Sequence, residues 1–266
     1  MPLFQIALVA LIQGITEFLP VSSSGHLILL PALTGLDDQG QAIDVAVHVG
    51  TLGAVILFFR GDAAALWRGT LDLAAGRHGP DRTLALLMAV ATVPVLVFGL
   101  ALKLTGADML LRSAHVIGVT MIVFGVALWW ADRTGGTRRE AADWSMRDAV
   151  VMGLWQAIAL VPGTSRSGAT ITAARLRGFE RRDGARLAML MSIPTILAAG
   201  ALTGAEVAGE LDAPLLRDMG LAALLAFAAA LAALGLMMRL LRSVSFTPYV
   251  VYRIALGALI LIWVQA

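Results

Sequence analysis

Six apolar stretches, at about 43–60, 82–103, 113–132, 184–204, 216–241 and 247–265, each run close to the roughly 20 residues that cross a bilayer core. Backbone in hydrocarbon must satisfy its own hydrogen bonds, so stretches of this length fold as transmembrane helices. A soluble alternative would need a core large enough to hide nearly everything. With 266 residues, 59% hydrophobic and 14% charged, the chain cannot supply one, since soluble domains carry about 25% charged residues. The expected fold is all-α and polytopic. The opening "MPLFQIALVA" lacks a basic n-region and is expected to be retained rather than cleaved. Cysteine is absent, which excludes disulfides and thiolate metal sites, and a net charge of +2 gives no reason to expect nucleic acid.

Two more segments are apolar but interrupted. One, 2–34, breaks at Pro20 and Gly25; the other, 148–178, breaks at "VPGTSRSGAT". Each half is too short to span, so each segment is expected to be a re-entrant helical hairpin. Non-helical backbone at such depth survives only against protein or a water-filled cavity. The two segments resemble each other: Gln13-x-Ile15 with Ser22-x-Ser24-Gly25 matches Gln156-x-Ile158 with Ser165-x-Ser167-Gly168 at the same spacing. Each is followed by three spans, so the second copy enters the membrane upside down. The plan is an inverted repeat within one membrane domain, 1–266, with copies at 1–132 and 147–266; discontinuous helices in such repeats meet near the midplane.

Threading the chain through the bilayer puts fifteen of the twenty Arg and Lys on one face, within 60–82, 133–147, 175–186 and 239–242. That face is expected to be cytoplasmic. Both termini and the mouth of the first hairpin then face outward. Arg253, in the last span, reads as a packing or snorkelling residue. Arg166 is different, because it falls at the tip of the second hairpin.

An ionisable group inside a membrane is a functional hypothesis that needs a partner. For Arg166 the partner is Glu17, as a structural salt bridge, or a substrate phosphate, whose geometry suits a guanidinium fork. The segment with Gly163 at its break opens a helix; Ser165 or Ser167 can cap it, and its free N–H groups favour an anion. Thr164, Ser165, Ser167 and Thr170 add hydroxyl donors. Gln13 and Glu17, four apart, share a helix face. Glu17 with phosphate oxygens is a normal way to hold Mg²⁺, and Gln13 either joins it or bonds a neighbouring helix. Ser22, Ser23, Ser24 and His26 place hydroxyls and an imidazole within one turn, an arrangement suited to an activated nucleophile; both Ser22 and Ser23 can face His26. Asp44 and His48 are secondary candidates, as metal ligands, outer support or a local pair.

The segments "QGITEFLPVSSSGH" and "PGTSRSGAT", roughly 140 residues apart, resemble the two signature segments of the undecaprenyl-diphosphate phosphatase (bacitracin-resistance) family. The likeness continues through "DVAVHVGTLGA". It implies an integral enzyme of the bacterial plasma membrane that removes the terminal phosphate of undecaprenyl diphosphate and so recycles the lipid carrier for cell-wall synthesis. It also implies an inverted repeat with two re-entrant hairpins, dependence on a divalent cation (Mg²⁺ or Ca²⁺) and homodimers; that the site opens to the outer face is expected from the charge pattern instead. By position, Glu17 is the metal or acid–base carboxylate, Ser23 and His26 are reactive groups and Arg166 binds phosphate. Gln13 stands in a slot that varies between Glu and Gln, which removes one carboxylate from any metal site. The rival reading is an inverted-repeat transporter or flippase for an anionic lipid or solute.

Overall fold

In the computed structural model, which describes residues 1–107 and 111–265, eleven α-helices and no strand are found among the described residues. Six are long and apolar enough to cross a membrane: α3 (Gly40–Phe58), α5 (Pro80–Thr105), α6 (Ala114–Thr134), α9 (Arg181–Val207), α10 (Ala213–Leu240) and α11 (Thr247–Gln265). The chain is a multi-pass α-helical membrane protein. Pro94 and Pro194 lie inside α5 and α9, as their surroundings in the sequence suggest. Trp129, Trp130 and Trp263 are exposed near helix ends.

Both interrupted segments break: the first over residues 17–22, around Pro20, with Gly25 falling inside the first turn of the helix that follows rather than at the break, and the second within the stretch read as interrupted. The first forms α1 (Leu3–Thr16) and α2 (Ser23–Thr34), the second α7 (Met146–Ile158) and α8 (Arg166–Leu176). The two ends of each segment are tied together. Gln5 Nε2 donates to the Asp37 carbonyl at 2.7 Å, and Arg177 Nε donates to Asp148 at 2.6 Å.

One element departs from the sequence reading. Residues 60–82, read as a cytoplasmic connection, contain a fifteen-residue helix, α4 (Arg60–Ala74). Its charged residues hide it from a hydropathy search. Ala63 and Leu66 nevertheless pack against the core while Trp67 stays exposed, so it is held by one face only.

Helix packing relies on small residues, as expected where lipid offers no hydrophobic drive between helices. A Cβ on Gly50 of α3 would sit 2.1 Å from the Ala223 carbonyl oxygen of α10, so only hydrogen fits. Helix α1 packs on α10 and α7 on α5; α3 packs on α10 and α9 on α5; α6 pairs with α11.

Charges collect at the two ends of this bundle. At one, buried Asp132 accepts from Arg175 Nε at 3.1 Å, Arg181 Nε at 2.8 Å and the Phe246 N–H at 3.2 Å. Asp148 there accepts from Arg139, Arg177 and Ser145. At the other, the Met1 ammonium meets Asp218 at 2.8 Å and Lys103 pairs with Glu206. The division matches the one obtained by threading.

Candidate active site

Both breaks are built alike. Ser22 (φ 73°, ψ 88°) and Ser165 (φ 70°, ψ 115°) are non-glycine residues with positive φ, a conformation that costs of order 1–3 kcal/mol. Each offers its Oγ to the N–H of the glycine three residues on, Gly25 at 3.4 Å and Gly168 at 3.1 Å. The bond caps the helix that starts immediately after. The sharp reversal aims the next residue at Glu17: Ser23 from within the first break and Arg166 across from the second.

The two breaks meet at Glu17, which directly follows α1 and whose side chain is only 6% exposed. Arg166 Nη2 donates to its Oε1 at 2.7 Å. Its Oε2 accepts from Ser23 Oγ at 2.7 Å and from Gln13 Nε2 at 2.9 Å. A second tie joins the breaks, Ser167 Oγ donating to the Leu19 carbonyl at 2.9 Å. One carboxylate thus holds a hydroxyl from its own break and a guanidinium from the other.

Two buried atoms here lack partners: Arg166 Nη1, a donor, and Gln13 Oε1, an acceptor. Leaving such groups unmatched costs about 1–3 kcal/mol each. An oxyanion would satisfy the first and a cation the second.

Two adjoining chambers open onto the cluster. One, of about 310 Å³, reaches Glu17, Arg166 and, on α9, Thr195. The other, of about 220 Å³, reaches Gln13, Ser23 and Ser24. Gln41, Asp44, His48 and Arg112 line both. Asp44 and His48 therefore belong to the site, although they are not paired through the Asp44 carboxylate: His48 Nδ1 bonds the Asp44 carbonyl at 2.7 Å and Gln39 Nε2 donates to the carboxylate at 2.9 Å. With Nδ1 so engaged, His48 Nε2 lies 3.9 Å from Glu17.

Other candidates sit elsewhere. His26 does not hydrogen-bond Ser23 and lines neither chamber. Its Nδ1 bonds the Ser22 carbonyl at 2.7 Å and its Nε2 the Tyr252 hydroxyl at 2.6 Å, with the rings stacked. A donor bond from Nδ1 leaves Nε2 to accept from Tyr252. Ser22 faces its own cap rather than His26 Nε2. The hydroxyls of the second break are engaged by the backbone: Ser165 caps Gly168, Ser167 reaches Leu19 and Thr170 Oγ1 bonds the Arg166 carbonyl at 2.8 Å. Thr164 Oγ1 is buried without a partner. Gly163 takes φ +86°, and a Cβ there would fall 2.1 Å from Thr120 Oγ1.

Arg253 does not snorkel. It is fully buried, and its Nη2 donates to the Gly163 and Thr164 carbonyls at 3.0 and 2.7 Å. Its Cζ-borne nitrogen Nη1 fills the space a Cβ on Gly168 would need, at 2.7 Å. This residue was missed because a lone Arg in a span gives no hint that two turn carbonyls face it. Arg112 belongs to no motif in the sequence; the chambers it lines form only when the helices assemble.

The described residues contain no cluster of three or more His, Asp and Glu able to hold a metal. Glu17 and Gln13 Oε1 would offer an oxygen pair suited to a hard ion that takes its remaining ligands from substrate and water.

A bundle of six spanning helices around two strained, serine-capped breaks, with a Ser–carboxylate–Arg cluster between them, defines an integral membrane protein with a buried anion-directed site. Its relatives are consistent in kind. The family model described as "Bacitracin resistance protein BacA" matches residues 6–259, and the chain belongs to this family. It is 65% identical over 262 residues to the undecaprenyl-diphosphatase of Ruegeria sp. (strain TM1040), covering 98% of each chain. It is 62% identical over 263 residues to that of Jannaschia sp. (strain CCS1), again with 98% of each chain covered. A more distant relative, the undecaprenyl-diphosphatase of Aliivibrio salmonicida (strain LFI1238), is 41% identical over 264 residues, 99% of this chain and 98% of its own.

Proposed function

We propose that the protein is an undecaprenyl-diphosphatase: it hydrolyses undecaprenyl diphosphate to undecaprenyl phosphate and inorganic phosphate at the chambers around Glu17. The observation that carries this is the sharing of one buried carboxylate by Ser23 and Arg166. A carrier that only binds an anion has no need of a hydroxyl hydrogen-bonded to a base.

The chemistry follows from that arrangement. The terminal phosphate takes the Arg166 fork, beginning with the unpartnered Nη1 and drawing Nη2 from Glu17. Glu17, released from its ion pair, accepts the Ser23 proton as Ser23 Oγ bonds the terminal phosphorus. The bond from that phosphorus to the bridging oxygen breaks, and undecaprenyl phosphate leaves with the electron pair. Glu17 passes that proton to the departing undecaprenyl phosphate and is a carboxylate again. It then takes one proton from the water that attacks the phosphoserine and hands it to Ser23 Oγ as the serine–phosphorus bond breaks and inorganic phosphate departs. Because phosphoryl transfer has a loose transition state, positioning and charge stabilisation supply most of the catalysis. His26 supports the turn from outside the cluster, and Ser165, Ser167 and Thr170 shape the second break.

The lining arginines, Arg166 and Arg112, face the carboxylates Glu17 and Asp44, so side chains alone leave a diphosphate poorly neutralised. A divalent cation, Mg²⁺ or Ca²⁺, held by Glu17 and Gln13 with phosphate oxygens, would supply the missing positive charge.

The same proposal covers the setting. The tied ends of each interrupted segment and the matched packing of α1 on α10 with α7 on α5 support two re-entrant hairpins in an inverted repeat. The basic end is cytoplasmic, so the termini lie outside and the site opens to the outer face of the bacterial plasma membrane. A homodimer rests on family resemblance alone. In detergent with Mg²⁺, long-chain polyprenyl diphosphate should release phosphate, and Ser23→Ala and Arg166→Ala should each lose at least about 10²-fold of kcat. Rapid quenching should trap phosphate on Ser23. Full turnover by Ser23→Ala would overturn the covalent route, and transport of the lipid without turnover would overturn the enzyme.

A further inference from the structure

The basic end holds a second cavity, of about 700 Å³, between the α3–α4 junction, the first turns of α9 and the end of α10. Arg60, Arg182, Arg186, Arg239 and Arg242 line it, against one carboxylate, Asp62. Arg186 takes that carboxylate, its Nε donating at 2.9 Å. Among the described residues the other four arginines have no carboxylate partner within the cavity. Two of the lining elements are helix N-termini without a side-chain cap, α4 and α9. Such ends direct N–H groups and a partial positive charge at an anion. The remaining wall is apolar, formed by Phe58, Phe59 and Met238.

This is not the site of Glu17. His48 and Phe58 are ten residues apart on α3, and Thr195 and Arg186 nine apart on α9. At about 1.5 Å per residue the two cavities are roughly 15 Å apart along the same helices. Nor does an orientation signal require it, since a surface excess of Arg orients a chain without converging on one hollow. Guanidiniums crowded around a shared space repel each other until an anion joins them.

We propose that this cavity binds the phosphate headgroup of an anionic membrane lipid. The arginines and the two helix N-termini hold the phosphate oxygens, and the lipid chains lie against Phe58, Phe59 and Met238. The apolar wall is what selects a lipid-borne phosphate over a soluble one.

The test is native mass spectrometry of the full-length protein in detergent, with phosphatidylglycerol, phosphatidylcholine, or inorganic pyrophosphate as probe. Arg239→Ala/Arg242→Ala is compared with Arg138→Ala/Arg147→Ala, which removes the same charge from exposed positions outside the cavity. Thermal unfolding checks that each variant is folded, and Arg60→Ala/Arg182→Ala tests the opposite walls independently. Wild type should retain phosphatidylglycerol selectively. Each cavity arginine removed should weaken that binding roughly fivefold, with the control pair unchanged. Equal losses in the control and cavity variants, or equal retention of phosphatidylcholine, would overturn the proposal. So would tight pyrophosphate binding without lipid binding.

Discussion

Ser22 and Ser165, 143 positions apart in the chain, adopt the same left-handed backbone and cap the same position of the helix that follows. The strain at each is offset by a cap bond that only a short polar side chain supplies. Glycine relieves the strain but loses the cap; alanine keeps the strain and loses the cap as well. Ser165→Ala should therefore lower stability by about 1–3 kcal/mol, and Ser165→Gly by less. Thermal unfolding of the two variants, and of the Ser22 pair, checks the order. Both should also lose turnover, because Ser23 and Arg166 are aimed by these turns.

Arg253 acts at one remove. Its guanidinium holds the carbonyls of Gly163 and Thr164, so removing it frees the turn that presents Arg166. Arg253→Ala should raise KM and lower kcat together, by roughly 10²-fold in kcat/KM, whereas Arg253→Lys, which can still donate to one carbonyl, should recover part of it. A merely structural role would lower the unfolding temperature of both variants alike and leave the kinetic parameters of the folded fraction unchanged.

Gln13 presents an oxygen without a donor beside the Glu17 carboxylate. Gln13→Glu places a second negative charge there, so half-maximal turnover should need about tenfold less Mg²⁺. Gln13→Leu should need more. Chelation should abolish turnover in all three proteins and added Mg²⁺ restore it. An unchanged Mg²⁺ requirement in Gln13→Glu would remove Gln13 from the cation's surroundings.

At the basic end, burial pushes the Asp148 carboxyl upward, but hydrogen bonds from Arg139, Ser145 and Arg177 outweigh it and hold the group below the usual carboxylate range. A depressed folded value means the stabilisation is complete above the ordinary Asp value of about 3.9 and is lost as pH falls from there toward the folded value. The gap in unfolding temperature between wild type and Asp148→Asn should be constant from about pH 8 to 5 and shrink below about pH 4. A gap that varies around neutral pH would mean another group is responsible.

The spans were legible because hydropathy is additive along a chain, and the breaks because Pro20, Gly25 and the run from Pro162 to Gly168 interrupt it. The meeting of Glu17 with Arg166 followed from cost, since neither charge is tolerable alone in lipid. What stayed hidden depended on direction. Spacing allowed His26 to face Ser23, yet the left-handed Ser22 turns the imidazole toward Tyr252 instead. Hydroxyl content suggested that Ser167 and Thr170 touch substrate, but a broken helix has its own unpaired backbone groups to satisfy, and these take the hydroxyls first. Helix α4 escaped because a one-faced helix lying on the bundle carries as many charges as a loop.

The carboxylate and the guanidinium that share an ion pair are 149 residues apart in the chain. During synthesis the acidic half of the site is threaded into the membrane long before its basic partner is made, and until then it has nothing to grip a phosphate with. A truncated or half-inserted chain is therefore inert toward the lipid pool. The hydrolase comes into being only at the moment its second half docks, so its activity reports on its own completed assembly.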